Sequence, residues 1–219
     1  MLKCKNLYVS FTKEFYTLND VSFEVAQGEK LVIVGSKESG RTALIRALLG
    51  LEPCAKGEIF YKNISLEKID FQNDLSCGYL PAVPVFLENK TVQENIEYVA
   101  GLRIKDKAYM AAKVNNAITE YGLEYSRKKK AKELNYYDRI KLALARLSTR
   151  NIDILLIDDV FAKLSSMDRE KLIKQIKSII KTQGCAALIM VDSDEVADKL
   201  GYKRKYLIYG SLKDTNEVD

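Results

Sequence analysis

A glycine-bounded segment, Gly35–Thr42, has the composition of a loop that binds phosphate groups. It reads Gly-Ser-Lys-Glu-Ser-Gly-Arg-Thr, follows an apolar run that predicts a strand over Leu31–Val34, and leads into a helix predicted over Thr42–Leu49. In such a loop, backbone N–H groups and the positive end of the helix face the anion, and the final hydroxyl can reach a magnesium ion. The pattern G-x-x-x-x-G-K-[ST] is met except at Arg41, which stands in place of lysine. Taken alone, the segment is equally compatible with an ordinary strand–turn–helix junction.

The elements around this loop predict an α/β architecture, because apolar runs alternate with helical periods. Further strands are predicted at Leu2–Val9, Val21–Val25, Glu58–Tyr61, Gly78–Leu80 and Tyr206–Tyr209, and a block of helices at Val92–Ala100, Lys107–Tyr121 and Asp138–Leu147. After this helical block, Ile152–Ile157, Met167–Lys181 and Ala187–Val191 predict a β-α-β unit. Both of its strands are apolar enough to be buried on two faces, as in a parallel sheet.

Composition excludes several other kinds of protein. The 219 residues fit one large α/β domain, and 47% apolar residues argue against disorder. The net charge of +5 is too mild to favour nucleic acid as a partner. The four cysteines are scattered and histidine is absent, which argues against a zinc site and for a reducing compartment. No signal peptide and no run of about eighteen apolar residues is present, so we expect a cytoplasmic protein.

Read in order, further segments resemble the motifs of the ATP-binding cassette (ABC transporter) family over essentially the whole chain. The separations between them also resemble those of the family. The segments are Val21–Val25 with Gly28-Glu29, Cys77–Ala82, Thr91–Ile96, Leu134–Asp138 with the trailing Leu142–Arg146, the Walker B-like Ile154–Asp159, Ala162–Ser165, and Ser193. The phosphate loop is the Walker A element of this series.

The resemblance implies a P-loop NTPase-type α/β fold: a mostly parallel sheet flanked by helices, with an N-terminal antiparallel β-subdomain and an inserted helical subdomain. It implies a core over 1–82 and 149–219 and a helical subdomain over 83–148. ATP and Mg²⁺ are the implied cofactors, with Thr42 and Asp158 as metal ligands and Asp159 at the position of the catalytic carboxylate. The implied nucleotide-binding residues are Phe11, whose ring would stack on adenine, and Gly35, Ser36, Lys37, Glu38, Ser39, Gly40, Arg41, Thr42 and Ala43.

The positions that would break down ATP depart from the family pattern. Arg41 replaces lysine, Ala82 replaces glutamine, Asp159 replaces glutamate and Ser193 replaces histidine. Arginine keeps the positive charge of lysine but does not place it at the same point. The side chain of aspartate is one methylene shorter than that of glutamate, and misplacing a catalytic group by about 1 Å costs about a hundredfold in rate. We therefore expect weak or absent hydrolysis.

Glu38 is a further departure, because the family usually has glycine there. Its carboxylate would repel phosphates, with each like-charge pair at about 5 Å and an effective dielectric of 20 costing roughly 3 kcal/mol before screening. Alternatively, Glu38 points to solvent or pairs with Lys37.

The resemblance also implies partners. A membrane permease subunit would bind the helical insertion, placing the protein at the inner face of the membrane, and a second cassette would form a homodimer or heterodimer. In the family, the signature of one cassette approaches the nucleotide of the other, so Tyr136 and Tyr137 in Leu134–Asp138 are expected to obstruct that approach.

Three functions remain open at this stage. The first is a transporter-associated subunit that binds nucleotide, and the second is an interaction scaffold that binds none. The third, a soluble cassette of the DNA-repair or translation kind, is disfavoured because no coiled-coil insertion or tandem cassette is present. The basic run Arg127–Lys130 is either a solvated loop or a contact for acidic lipid headgroups or an acidic partner.

Overall fold

The computed structural model describes residues 1–10, 16–71 and 75–216. The chain divides into two compact units. One comprises Met1–Tyr79, Asp153–Asp159 and Gly184–Asp219 and is called the sheet unit; the other comprises Leu80–Ile152 and Val160–Gln183 and is called the helical unit. The subdomain boundaries proposed from the sequence stay a prediction, and Phe11 lies outside the described residues.

The strands agree with the predicted α/β class, and most of their bounds fall within a few residues of the prediction. They are β1 (Leu2–Val9), β2 (Leu18–Val25), β3 (Lys30–Val34), β4 (Lys56–Tyr61), β5 (Ile64–Ser65), β6 (Cys77–Leu80), β7 (Ile154–Asp158), β8 (Ala186–Val191), β9 (Lys203–Ile208) and β10 (Ser211–Lys213). The helices are α1 (Arg41–Leu48), α2 (Val92–Gly101), α3 (Lys107–Glu120), α4 (Tyr136–Ser148), α5 (Ser166–Gln183) and α6 (Asp194–Leu200), with short 3₁₀ turns at Glu124–Ser126 and Ala131–Glu133.

A six-stranded sheet of order β10-β9-β3-β8-β7-β6 forms the centre of the sheet unit. β3 runs parallel to β8 and β9, and β7 runs parallel to β8, while β10 pairs antiparallel with β9. The register places Val34 beside Val191 and Asp158 beside Met190. The carboxyl ends of the parallel strands therefore lie along one edge, where α/β sheets place their ligand sites. The predicted mostly parallel sheet is confirmed.

A second sheet, of order β2-β1-β4-β5, is antiparallel. In β2, the pattern of apolar and polar residues buries Leu18, Val21, Phe23 and Val25 on one face, as expected for a strand with one solvated side. These residues share one hydrophobic core with the inner face of α1 and with Leu31, Ile33 and other residues of the larger sheet. The predicted N-terminal antiparallel subdomain is present.

In the helical unit, polar side chains define where the helices begin. Thr91 and Glu94 form a capping box at α2, Asp106 accepts from the N–H of Tyr109 at α3, and Asn135 accepts from the N–H of Asp138 at α4. Because Asn135 is the cap, α4 begins two residues before the predicted start. α2, α3 and α4 pack against one another, and α4 packs against α5.

Three short elements were missing from the prediction. β5 has two residues, α6 seven and β10 three, which is too short for a periodic pattern to identify. No helix within residues 1–10, 16–71 and 75–216 is long and apolar enough to cross a membrane.

Candidate functional site

The phosphate loop follows β3 at the edge of the larger sheet where the carboxyl ends of the parallel strands lie. The Ser36 carbonyl accepts from the Ser39 N–H at 3.2 Å and from the Ser39 hydroxyl at 2.8 Å, which closes a tight turn. Gly35 is required at the start of this turn, because a Cβ there would lie 2.4 Å from Ser39 Oγ and 2.8 Å from the Leu207 carbonyl oxygen. The loop backbone is therefore fixed before any ligand binds.

The end of the loop offers backbone donors to an anion. Gly40 adopts φ 99° and precedes α1 without a side-chain cap, so no cap side chain occupies the first N–H groups of the helix. In the described part of the chain, no acceptor takes the N–H groups of Lys37, Glu38, Arg41 or Thr42. Uncovered N–H groups at a helix N-terminus are what a phosphate-binding loop requires.

The Arg41 side chain turns inward and pairs with Asp159. Its Nη2 lies 2.9 Å from Asp159 Oδ2, and the two side chains are only 6% and 14% exposed. Its Nε donates to the Ser36 carbonyl at 3.3 Å, and its Nη1 is buried without a hydrogen-bond partner among the described residues. The two substituted Walker positions thus compensate each other's charge.

Asp159 reaches Arg41 from a strained backbone. Its φ is 35°, a left-handed conformation that non-glycine residues adopt at a cost, and its N–H donates to the Met190 carbonyl at 3.1 Å. The carboxylate that would activate water in a hydrolytic cassette is therefore engaged by a cation of the same chain.

Asp158 and Thr42 are the oxygen donors predicted for magnesium. Asp158 is buried, and this burial, with the nearby charge of Asp159, raises the pKa of its carboxyl, while Arg41 acts in the opposite direction. Thr42 is exposed at the start of α1. Both donors suit Mg²⁺, and a buried carboxylate with a raised pKa is a group that a cation would stabilise.

Most ligands of a magnesium ion at this place would come from groups other than protein side chains. Across residues 1–10, 16–71 and 75–216 no three or more His, Cys, Asp or Glu side chains cluster as a metal site. The ion would then depend on nucleotide phosphates and water, which is the usual way in which Mg²⁺ is held.

A cavity of about 570 Å³ lies beside the loop, between Glu38, the segment Asp192–Asp194 and the end of β9. Glu38 and Lys37 are exposed and form no ion pair with any described residue, so Glu38 points to solvent instead of pairing with Lys37. Ser193, at the switch-histidine position, accepts from the Val196 N–H at 3.4 Å as the cap of α6. Its hydroxyl has a structural role at the helix start.

In the helical unit, the signature-like segment makes its own contacts. The Tyr136 hydroxyl donates to the Ala82 carbonyl at 2.9 Å and approaches the Val160 carbonyl at 3.3 Å, and Lys163 Nζ lies 5.6 Å from its ring centroid. Tyr136 therefore turns back onto its own unit. The expected obstruction by the rings of Tyr136 and Tyr137 stays a prediction; the structure adds that hydrogen bonds, which the sequence did not reveal, hold the Tyr136 side chain.

The first turn of α4 contains a negatively charged side chain, that of Asp138. Asp138, in the first turn, forms an ion pair of 2.7 Å with Lys141 and accepts from Asn135 Nδ2 at 3.1 Å. A carboxylate in the first helical turn stabilises the positive end of the helix dipole. This disfavours a second anion at the same place.

The segment that follows Ala82 presents an apolar edge, formed by Val83, Val85 and Leu87, which are 62%, 78% and 42% exposed. Between them Phe86 is buried, with the guanidinium carbons of Arg139 and Arg146 at 4.9 and 5.3 Å from its ring centroid. The contacts of Phe86 with Arg139 and Arg146 therefore anchor the segment that carries the apolar edge.

A family model described as ABC transporter matches residues 18–162. The chain belongs to the ABC transporter family. Its place there is that of a nucleotide-binding cassette, in agreement with the resemblance of its motifs and with the observed fold.

Several relatives of the cassette are ATP-binding proteins of transport systems. The molybdate/tungstate import ATP-binding protein WtpC of Thermococcus kodakarensis is 29% identical over 94% of this chain and 62% of its own length. The lipoprotein-releasing system ATP-binding protein LolD of Francisella tularensis is 27% identical over 97% of this chain and 96% of its own. The cassette thus spans about 62% of WtpC but nearly all of LolD.

Solved structures confirm the cassette fold. CbiO1 from Clostridium perfringens, part of the ABC transporter complex cbiONQ, superposes with a TM-score of 0.84 at 18% identity, over 96% of this chain and 86% of that one. The ATP-binding cassette MJ0796, solved as a dimer in a post-hydrolysis state with ADP and Pi, gives a TM-score of 0.84 at 20% identity, over 99% and 100% of the two chains.

The structure brings the main predicted residues of the sheet unit to one edge. Arg41 pairs directly with Asp159, next to Asp158, while Ala43 is buried in the core face of α1. Sequence reasoning treated the changes at Arg41 and Asp159 as separate defects and missed their pairing. The sequence did contain a signal for this pairing. Arg41 and Asp159 carry opposite charges, and they belong to two motifs, Walker A and Walker B, that lie close together in cassettes.

Proposed function

We propose that this cassette is the ATP-binding subunit of a membrane transporter that binds Mg-ATP weakly and hydrolyses it slowly or not at all. The observation that carries the proposal is the buried ion pair of Arg41 and Asp159. In this pair, the positive charge of the loop and the carboxylate that would assist hydrolysis are bound to each other.

The pair lowers the rate of hydrolysis more than it lowers binding. Phosphoryl transfer depends on charge stabilisation and on positioning of the attacking water, and both tasks would fall to groups that now compensate each other. The hydrogen bond from Arg41 Nε to the Ser36 carbonyl further restrains the orientation of the guanidinium group. A bound γ-phosphate would have to compete with Asp159 for Arg41.

Binding is supported by the parts of the loop that are still in place. The backbone N–H groups of Arg41 and Thr42 have no acceptor among the described residues, the Thr42 side chain is exposed, and Asp158 stands at the end of β7. These groups suit a magnesium-bound polyphosphate without any contribution from Asp159.

Association with a membrane permease is the second part of the proposal. The relatives serve import and lipoprotein-release systems, and the apolar edge of Val83, Val85 and Leu87 is an exposed surface suited to a partner. The protein would then act on the cytoplasmic side, peripheral to the membrane, alone or with a second cassette as homodimer or heterodimer.

Calorimetric titration with Mg-ATP tests nucleotide binding. Wild type is compared with Thr42→Val and Asp158→Asn, and we expect a measurable affinity that weakens at least tenfold in each variant. Steady-state phosphate release from the same wild-type preparation is expected far below the enzyme median of about 10 s⁻¹. Turnover near that median, abolished by Asp159→Asn, would overturn the proposal.

A scaffold that binds no nucleotide is the alternative, and it is favoured by Glu38, an exposed carboxylate of the loop that pairs with no described residue. Absence of any heat change at millimolar Mg-ATP, together with co-purification of a permease from membranes, would select the scaffold. Co-purification abolished by Val85→Asp would tie the permease to the apolar edge.

A further inference from the structure

The segment Glu124–Glu133, between α3 and α4, has five basic residues among its ten and is called the basic loop. It holds Arg127, Lys128, Lys129, Lys130 and Lys132 against only two carboxylates, Glu124 and Glu133. Residues 80–152 carry fourteen Lys or Arg and eight Asp or Glu, a net charge of +6, whereas the whole chain is +5. The other part of the helical unit, Val160–Gln183, adds six Lys or Arg and two Asp or Glu, so the positive excess of the protein lies in the helical unit.

The backbone of the basic loop is fixed by hydrogen bonds to the start of α2. Arg127 and Lys129 carbonyls accept from the N–H groups of Gln93 and Val92 at 3.2 and 3.0 Å, and the Ala131 N–H donates to the Lys90 carbonyl at 2.9 Å. Such anchoring holds the loop in one conformation, so its charges occupy a defined patch.

The arginine and the lysines of the loop have different roles. Arg127 turns into the protein and donates to Gln93 Oε1 and Asn115 Oδ1, both at 2.7 Å. Lys128, Lys129, Lys130 and Lys132 are exposed, and none of them forms an ion pair with a described residue. The Glu133 carboxylate accepts from the Lys130 backbone N–H at 2.6 Å, so it is oriented toward the backbone.

Tyr125 adds an exposed aromatic ring to the same loop. Its side chain is 100% exposed, so packing within the chain does not account for it. Tyrosine has an apolar ring and a polar hydroxyl, a combination enriched at the level of lipid headgroups. Tyr125 precedes the four exposed lysines by three to seven residues, so the basic loop offers both an apolar ring and positive charges to solvent.

We propose that the basic loop contacts an anionic membrane surface through Tyr125 and its four exposed lysines. Each lysine close to an anionic leaflet strengthens binding by about fivefold. Lysines on flexible stems suit headgroups of variable position, whereas the one arginine, whose planar fork suits fixed phosphate geometry, faces inward. The contact goes beyond permease docking, since it requires neither nucleotide nor permease.

Co-sedimentation of the purified full chain with vesicles tests this contact. Vesicles of phosphatidylcholine mixed with phosphatidylglycerol are compared with pure phosphatidylcholine. The first variant replaces Lys128, Lys129, Lys130 and Lys132 by Gln, and the matched control replaces Lys68, Lys171, Lys174 and Lys181, which are also exposed. Both lose the same net charge, and thermal unfolding confirms that both are folded.

We expect wild type and the matched control to bind the anionic vesicles, with the first variant at least about a hundredfold weaker and binding falling as salt rises. Tyr125→Ser should weaken binding several-fold. No wild-type binding at low salt, or equal losses in the two quadruple variants, would overturn the proposal. Tighter binding to duplex DNA than to anionic vesicles would also overturn it. Failure of nucleotide binding would leave these results unaffected.

Discussion

The Arg41 guanidinium lies 2.9 Å from the Asp159 carboxylate, and both side chains are largely removed from water. Arg41 starts the helix after the phosphate loop, and Asp159 directly follows Asp158, the last residue of β7. The two groups that a hydrolytic cassette would direct at ATP are thereby directed at each other. The Arg41 charge is therefore balanced within the chain itself.

Breaking the pair on one side should destabilise the protein. Asp159→Ala leaves the Arg41 charge buried without its partner, and we expect a loss of about 3 kcal/mol in the free energy of unfolding. The control is the double variant Arg41→Met with Asp159→Asn, which removes both charges and keeps at position 159 a residue that tolerates the left-handed backbone, and it should lose less than the single variant. Urea denaturation measures both, and equal losses in the single and double variants would contradict a direct pairing.

Arg41→Lys should strengthen nucleotide binding. A lysine ammonium cannot bond both the Ser36 carbonyl and Asp159 in the planar manner of arginine, and it can reach bound phosphates as a point charge. We expect Mg-ATP to bind about tenfold more tightly, equivalent to about 1.4 kcal/mol, by calorimetry. An unchanged affinity would show that the pair does not restrain the cation.

Gly40→Ala and Gly28→Ala should separate backbone strain from steric clash. Both glycines have positive φ, 99° and 70°, but a Cβ at Gly40 would meet Leu18 Cδ2 at 2.8 Å, whereas a Cβ at Gly28 would meet nothing within 4 Å. We expect Gly28→Ala to cost about 1 kcal/mol of stability and Gly40→Ala about 1–3 kcal/mol more. Similar unfolding midpoints for the two variants would argue against the tight loop.

Tyr136→Phe should destabilise the helical unit, whereas Tyr137→Phe should not. The Tyr136 hydroxyl bonds the Ala82 carbonyl at 2.9 Å, and its loss is expected to cost about 1 kcal/mol. Among the described residues, the Tyr137 hydroxyl has no such acceptor, although Lys141 Nζ lies 5.1 Å from its ring centroid. Thermal unfolding of the two variants distinguishes them, and an equal effect would place the hydroxyl of Tyr136 in solvent.

The capping box of α2 should give a pH-dependent contribution to stability. A hydrogen bond from the Thr91 backbone and contacts with Lys90 and the Thr91 side chain lower the pKa of Glu94 from 4.5 to about 2. Because the folded pKa is the lower one, this contribution is present above pH 4.5 and is lost as pH falls toward about 2. Unfolding of wild type and Glu94→Gln across this range should show the difference between them shrinking. A constant difference would contradict an ionised cap.

The sequence by itself determined the fold class and most of the elements. Apolar alternation and helical periods are local properties, so the strands at Leu2–Val9 and around Ile154 could be read from neighbouring residues. The glycine-bounded loop and the order of motifs likewise identified the family. Local patterns failed where an element was too short, as at α6, or where a cap shifted a helix start, as at Asn135.

Only the tertiary structure decided how the altered positions interact. Arg41 and Asp159 are far apart in the chain, and parallel strands connected through helices bring them to one edge. The hydrogen bond from the Tyr136 hydroxyl to the Ala82 carbonyl joins residues that are 54 positions apart, so it exists only in the folded chain. A sequence shows which charges and hydroxyls exist, but their partners depend on distances that arise only when separate segments pack together.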